Sequence, residues 1–173
     1  MIRKFLPIAL IAIYAISALP AQASGYIKLG DIDGESSDVN HQNWSDILSV
    51  SMQTVDSQSD DKRSQSAAPR FGDIVIVKEW DASAPKLQEK VVTEEVIPYT
   101  LIEIFDEQKR LRQVYEIFDV LISSYSNHAH GGSDGSRPME SFSLNYEKAR
   151  IIAFPLSAEQ PPVEWYYSRT GDQ

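Results

Sequence analysis

The sequence predicts a mainly β fold: a small β-barrel or sandwich of two sheets with one flanking α-helix. Apolar and polar residues alternate in several segments, most clearly in "SFSLNYEK", where Phe142, Leu144 and Tyr146 are separated by polar side chains. Only one segment places apolar residues at helical spacing. The chain has 173 residues, 42% of them hydrophobic, which is enough for one domain with its own core.

The first 23 residues are predicted to be a secretory signal peptide. "MIRK" supplies a cationic head, residues 5–19 are apolar, and Ala21, Gln22 and Ala23 form a small-x-small cleavage signature. The alternative is a retained membrane anchor, but about 15 apolar residues are fewer than the roughly 20 that a membrane-spanning helix needs. We therefore expect an exported protein, periplasmic or secreted, in which residues 24–173 form the barrel domain without stable membrane insertion.

Strands are predicted before and after the single helix. The continuous β-branched run in "DIVIVKEW" is typical of a strand covered on both faces. "YTLIEIF" and "RQVYEIFDVLISSY" are further strand candidates; the second is long enough for a helix, but its Val, Ile, Tyr and Phe content favours β structure.

The helix is predicted over residues 83–96. In "SAPKLQEKVVTEEVIP", Ser83 can serve as N-cap, Pro85 lies in the first turn, and Ala84, Leu87 and Val91 recur at spacings of three and four. Pro98 follows shortly after the expected end.

Residues 56–69, "DSQSDDKRSQSAAP", contain no large apolar side chain. This composition predicts a mobile loop, either a disordered excursion or a contact arm. The last aromatic segment, "PPVEWYYSR", alternates Val163, Trp165 and Tyr167 with Glu164 and Tyr166. It predicts a terminal strand with one buried face; the alternative is a recognition edge, because an exposed strand can pair with a neighbouring subunit.

Charge and cysteine content exclude several functions. The formal net charge is −9, and cleavage after Ala23 would leave 14 Lys and Arg against 25 Asp and Glu, a net charge of about −11. Nucleic acid is therefore not an expected partner, because binding its phosphates requires basic side chains. The chain has no cysteine, so it can form no disulfide, thiolate metal site or cysteine nucleophile.

The acidic cluster in "YIKLGDIDGESSDVNHQNW" raises the question of a metal site. Asp31, Asp33 and Glu35 alternate, but an EF-hand loop that starts at Asp31 would need glycine where Ser36 stands and a carboxylate where Gln42 stands. A hydrolytic carboxylate pair is defined by distance in space and stays open on sequence grounds. The pattern favours solvated loop acids.

The remaining chemistry-bearing residues give no active site. The histidines are His41, His128 and His130, and the "HAH" pair lies in "NHAHGGSDGSRP", whose Gly and Ser content predicts a flexible loop rather than a metal site. The glycines at 131, 132 and 135 lack the Gly-Lys-Ser/Thr of a phosphate loop, and no serine stands in a Gly-x-Ser-x-Gly elbow. We expect no enzyme, no cofactor, and no catalytic, cofactor-binding or metal-ligating residue.

Four blocks, in order, resemble the Hcp family, the haemolysin-coregulated proteins that form the inner tube of type VI secretion systems. They are "YIKLGDIDGES" with "HQNWSDILSVSM", "FGDIVIVKEWDASAPKLQEKVV", "IPYTLIEIF" and "RPMESFSLNYEKARI". The resemblance spans about residues 26–152.

The resemblance implies a β-barrel with a flanking helix that assembles into hexameric rings, which stack into a tube, and it implies no catalytic residue. The expected partners are other copies of the chain and components or effectors of the secretion system. The leader predicts an exported relative of the tube proteins. The alternative is a monomeric exported binding module that keeps the barrel but not the ring; a hydrolase domain would have only 21 residues after Ile152.

Overall fold

In the computed structural model, residues 24–55, 70–128 and 137–169 are described, and they form nine β-strands and one α-helix. The elements in chain order are β1 Ser24–Leu29, β2 Ser45–Ile47, β3 Ser49–Val55, β4 Arg70–Glu79, α1 Ala84–Thr93, β5 Ile97–Phe105, β6 Leu111–His128, β7 Met139–Asn145, β8 Lys148–Ala153 and β9 Val163–Ser168. The predicted leader and the predicted loop at residues 56–69 lie outside the described residues.

Two antiparallel sheets share strand β6. Sheet A has the order β2-β1-β5-β6-β8-β9, and sheet B has the order β6-β7-β4-β3. Residues 111–120 of β6 pair with β5 and residues 113–118 also pair with β8, whereas residues 121–128 pair with β7. The strand changes sheets near Asp119, whose φ is 53°, and a register shift follows between Ile122 and Ser124.

The chain passes between the two sheets a second time, from β2 to β3, and this closes the barrel. Only Leu48 separates β2, which pairs with β1, from β3, which pairs with β4. The Leu48 amide donates to the Val77 carbonyl at 2.8 Å and ties this joint to sheet B. The predicted mainly β barrel with one flanking helix is confirmed.

The core lies between the inner faces of the two sheets. Its largest contributions come from branched aliphatic side chains, as β structure favours. The fully buried members are Ile74, Ile76, Leu87, Ile102, Ile117, Val120 and Leu144. In β7 the predicted alternation is present: Phe142 and Leu144 face the core, while Ser141 and Ser143 face outward.

The prediction that β4 is covered on both faces is wrong. Ile74 and Ile76 are fully buried, but Val75 is 36% exposed and Val77 is only half-buried. The reason is that β4 belongs to an antiparallel sheet with one covered face, and valine is accommodated on a pleated surface whether or not that surface is covered.

Helix α1 is four residues shorter than predicted: it begins one residue later, at Ala84, and ends three residues earlier. It ends at Thr93 instead of residue 96, because Glu94 adopts a left-handed conformation with φ 51° and β5 begins at Ile97. Ser83 occupies the N-cap position but makes no side-chain capping bond. Its amide and hydroxyl donate instead to Asp81 Oδ1, at 2.9 and 2.5 Å.

The β1–β2 connection folds back tightly on itself. The Gly34 amide donates to the Asn43 carbonyl at 3.0 Å, and the Ser36 amide donates to the Trp44 carbonyl at 2.8 Å. A Cβ atom on Gly34 would lie 2.4 Å from the Trp44 carbonyl oxygen. Position 34 therefore requires glycine because of the close backbone approach.

We expect Gly34→Ala to lower the free energy of unfolding by about 1–3 kcal/mol, because the backbone of Trp44 would have to move to admit the methyl group. Urea denaturation would measure the loss. Ser37→Ala, at an exposed position in the same connection, is the control and should stay within about 0.5 kcal/mol of the parent. Equal stability of the two variants would contradict the steric argument.

Candidate functional site

The outer face of sheet B carries a regular grid of small uncharged side chains, here called the serine face. Two cross-strand rows run over β3, β4, β7 and β6, and the paired positions are Ser49, Val77, Ser141 and Ser126 in one row and Ser51, Val75, Ser143 and Ser124 in the other. The Ser124 hydroxyl donates to the Ser143 hydroxyl at 2.9 Å across two strands. The grid is rich in hydroxyl groups and carries no formal charge.

Charged side chains border the serine face on two sides. On one side the Asn145 amide donates to Asp73 Oδ1 at 2.7 Å, and the Ser123 hydroxyl also contacts Asp73. On the other side Arg137 and Glu79 form an ion pair at 2.8 Å. The charges of this surface are therefore at the rim, and the centre is neutral.

Sheet B ends in two edges. In the part of the chain that the structure describes, β3 pairs with β4 alone, and residues 121–128 of β6 pair with β7 alone. The two edges are separated by three inter-strand spacings, about 14 Å. Backbone groups along an unpaired edge are available for pairing with another strand.

Strand β9 forms the edge of sheet A and is more exposed than predicted. The expected buried face is wrong for Val163 and Trp165, which are 65% and 43% exposed. The Phe71 ring lies against this strand, with its centroid 4.6 Å from that of Trp165 and 4.5 Å from that of Tyr167, and the Tyr146 ring meets Tyr167 edge to face at 6.2 Å. Only the Tyr167 end of the strand therefore packs against the core among the described residues.

The three acids singled out in the sequence do not converge. Asp31 and Glu35 are exposed, and Asp33 pairs with Lys28 at 2.7 Å. Lys28 also donates to the Ile32 and Asn43 carbonyls, at 3.0 and 3.1 Å. Within the described ranges, no group of three or more His, Asp or Glu side chains is arranged to hold a metal ion.

The described histidines differ from each other. His128 is exposed, and its Nε2 atom lies 3.2 Å from the Ser126 hydroxyl, a contact on the surface of one strand. His41 is buried and contacts two carboxylates. His130 and the glycines at 131, 132 and 135 lie outside the described residues.

A buried ionic cluster, which the sequence reading missed, joins β4, β7 and the turn before α1. Lys78 Nζ lies 2.7 Å from Asp81 Oδ1 and 2.7 Å from Glu140 Oε1, and the side chains of Lys78 and Glu140 are fully buried. The Lys78–Glu140 contact lacks hydrogen-bond geometry, so we treat it as an ion pair. Lys78 also donates to the Glu79 carbonyl at 3.0 Å.

Hydrogen bonds set the protonation of this cluster. Burial by itself would raise the pKa of Asp81, but the hydrogen bonds from Lys78 and Ser83 outweigh burial and lower it. Burial, reinforced by the hydrogen bond to Glu140, raises the pKa of Tyr125 to about 12. Asp81 is thus ionised and Tyr125 neutral at physiological pH. Both states suit a structural role, because neither group changes its charge in this range.

Comparison with known proteins gives one family. A family model described as "Type VI secretion system effector, Hcp" matches residues 26–152. No curated protein matches the chain.

Solved structures share the fold. A type six secretion system protein is 23% identical with a TM-score of 0.76, over 88% of this chain and 99% of that one. Hcp1 from Salmonella typhimurium is 15% identical with a TM-score of 0.75, over 87% and 97% of the two chains. A type VI secretion system effector from Yersinia pestis is 18% identical with a TM-score of 0.69, over 83% and 98%.

No helix in the described part of the chain has the length and hydrophobicity required to cross a bilayer.

We expect Lys78→Met to lower the free energy of unfolding by about 3–5 kcal/mol, because it leaves Glu140 buried without its cation. The double variant Lys78→Met with Glu140→Gln should recover part of this loss, since it removes the unpaired charge. Denaturant unfolding of the parent, both single variants and the double variant would measure the coupling.

Lys86→Met is the control for loss of a lysine. Lys86 is 63% exposed and pairs with Glu89 on the helix surface, so its removal should cost less than about 1 kcal/mol. A double variant that loses as much stability as the sum of the two single variants would contradict the buried ion pair.

Proposed function

Because the chain belongs to the Hcp family of type VI secretion system effectors, we propose that it is a structural subunit that assembles with identical copies into a closed ring. Six copies are expected from the resemblance, with rings stacking into a tube. The observation that carries the proposal is the pair of open edges on opposite sides of sheet B. A subunit with two different edges that are complementary to each other forms head-to-tail contacts, and such contacts close into a ring when the rotation between copies permits.

The ring contact would be strand addition. Strand β3 of one copy would lie beside residues 121–128 of β6 in the next, and main-chain hydrogen bonds would supply affinity. The two edge segments, "SVSMQTV" and "LISSYSNH", contain no Asp, Glu, Lys or Arg. Repulsion between chains with a net charge of −9 is therefore weakest along these edges.

The arrangement of the two sheets within a subunit would determine which face points into the proposed ring. Sheet A and helix α1 lie on one side of sheet B, and the serine face lies on the other. In a ring the thicker side takes the larger, outer circumference, so the serine face would line the lumen. Uncharged hydroxyls bind water and offer little apolar or ionic adhesion to a passing protein.

The predicted signal peptide bears on where the subunit acts. We propose that the subunit acts outside the cytoplasm, with other copies of itself as first partner and secretion-system components or effectors as further partners. We propose no enzymatic activity and no cofactor.

A second candidate is the monomeric exported binding module, and one observation favours it. Val163, Trp165 and Tyr166 are exposed on the edge strand β9, where aromatic side chains and open backbone groups could receive a partner.

We expect residues 24–173, purified without the leader, to have the mass of six subunits in solution. Light scattering coupled to size exclusion, at a series of micromolar concentrations, would measure it. The mass of one subunit at every concentration would reject the ring and support the binding module.

Engineered cysteines can test which edges meet, because the chain has no cysteine of its own. Ser51 and Ser124 lie at opposite ends of one cross-strand row, too far apart for a disulfide within one copy. We expect a variant with cysteine at one edge residue of β3, Ser49 or Ser51, and one of β6, Ser124 or Ser126, to give a disulfide ladder ending at six subunits.

The matched control carries cysteine at Ser51 and at Ser143, which lies on the central strand β7 and should form no ladder. The ladder would be read on a non-reducing gel. A six-subunit mass without crosslinks from any of the four edge pairs would reject edge pairing while leaving the ring intact.

A further inference from the structure

A cleft opens at one end of the β-barrel, beside the β5–β6 turn, and is here called the mouth cleft. Its volume is about 250 Å³. Its lining includes Gly25 of β1, Ile47 of β2, Leu48, Val50 of β3, Ile104 of β5, and Gln113 and Tyr115 of β6. Small ligands commonly bind in the mouths of β-barrels, in cavities with apolar walls and a few polar groups.

The strand pairing of sheet A places an uncharged row of residues along the mouth cleft. In order across the sheet, the row consists of Ile47, Gly25, Ile104, Gln113, Ala153 and Val163. The first four line the cleft, whereas Ala153 and Val163 lie beyond it and are exposed. On its β8–β9 side the cleft is therefore bordered by an uncharged surface that a ligand can cross from solvent.

The backbone on the sheet A side of the cleft is already paired. Strand β1 lies between β2 and β5, β5 lies between β1 and β6, and residues 113–118 of β6 lie between β5 and β8. A peptide cannot be bound there by strand addition, because that mode needs open main-chain groups. An occupant is recognised instead by the side chains that line the cleft.

Two side chains with hydrogen-bonding groups reach the cleft. Gln113 carries an amide and Tyr115 a hydroxyl, and neither side chain hydrogen-bonds to another described residue. Burial raises the pKa of Tyr115, so its hydroxyl is neutral at physiological pH. Both residues are half-buried. A polar group that loses its water when the cleft is filled needs a partner on the ligand.

Charge and size narrow the class of ligand. No described residue that lines the cleft is charged, so an ionised ligand would lose its hydration without gaining an opposite charge. A cavity of about 150 Å³ can hold benzene, and one water-sized group takes up roughly 30 Å³. The mouth cleft therefore has room for about eight non-hydrogen atoms.

We propose that the mouth cleft binds a small uncharged molecule that is mostly apolar and carries a polar group hydrogen-bonded to the Gln113 amide. A phenol with a short alkyl substituent has this chemistry. The inference goes beyond ring assembly, because every residue used here belongs to one copy.

p-Cresol is a probe of about the required size. A ligand-observed NMR titration of the full chain should show saturable binding, with a dissociation constant on the order of 0.1–1 mM for so small a ligand. Benzoate is similar in size but ionised, and it should bind at least about tenfold more weakly. The proposal is overturned if p-cresol does not saturate the protein up to about 10 mM, or if benzoate binds equally well.

Gln113→Trp should fill the cleft and weaken p-cresol binding by about tenfold or more. Gln160→Trp is the matched control at an exposed residue of the β8–β9 connection, and it should bind like the parent. An equal loss of binding in both variants would count against the cleft as the site.

Gln113→Leu tests the hydrogen bond with little change in side-chain size, and it serves if Gln113→Trp does not fold. It should weaken p-cresol binding about threefold or more, while toluene, which lacks the hydroxyl, should bind no more weakly than to the parent. Unchanged p-cresol binding, or an equal loss for both ligands, would overturn the role of Gln113.

Light scattering on the same sample separates this proposal from that of the ring. Saturable p-cresol binding to a species of one subunit would support the cleft and reject the ring. A species of six subunits that does not bind p-cresol would overturn the cleft and leave the ring in place.

Discussion

Strand β6 belongs to both sheets, and the rest of the structure depends on this sharing. Over residues 113–118 it has neighbours on both sides, β5 and β8, so its backbone groups are paired inside sheet A. From Leu121 onward it has left both neighbours and, among the described strands, pairs with β7 alone. One strand therefore both completes the barrel and supplies an unpaired edge. Because this edge is created by the main path of the fold, it cannot be removed without disrupting the barrel.

Two side-chain clusters hold connecting segments to the sheets in a chain that has no cysteine and so no disulfide. Lys78 holds the turn before α1 to β4 and β7, and His41 holds the β1–β2 connection to β5. In each case one nitrogen-bearing side chain lies between two carboxylates from different parts of the chain. The side chains of Lys78 and Glu140 are fully buried, whereas that of His41 is 8% exposed.

Sequence periodicity predicted the strands well where large apolar residues alternate with polar ones, as in β7. It failed at β4, because a run of Val and Ile hides the alternation between exposed Val75 and buried Ile76. The serine face was missed although its signal is present: Ser-x-Ser occurs in β3, β6 and β7. Strand pairing places the three motifs side by side, and the sequence of a single strand does not reveal its pairing partners. His41 and Glu103 are 62 residues apart, so only the fold brings them together.

The joint between β2 and β3 also constrains how the sequence can evolve. Ile47 and Val50 both point inward although they are three positions apart, because Leu48 provides the one-residue change of phase that moves the strand between sheets. An insertion or deletion here would turn Ser49 and Ser51 into the core and Val50 and Met52 out of it. The length of this joint is therefore constrained by the burial of the strand that follows it.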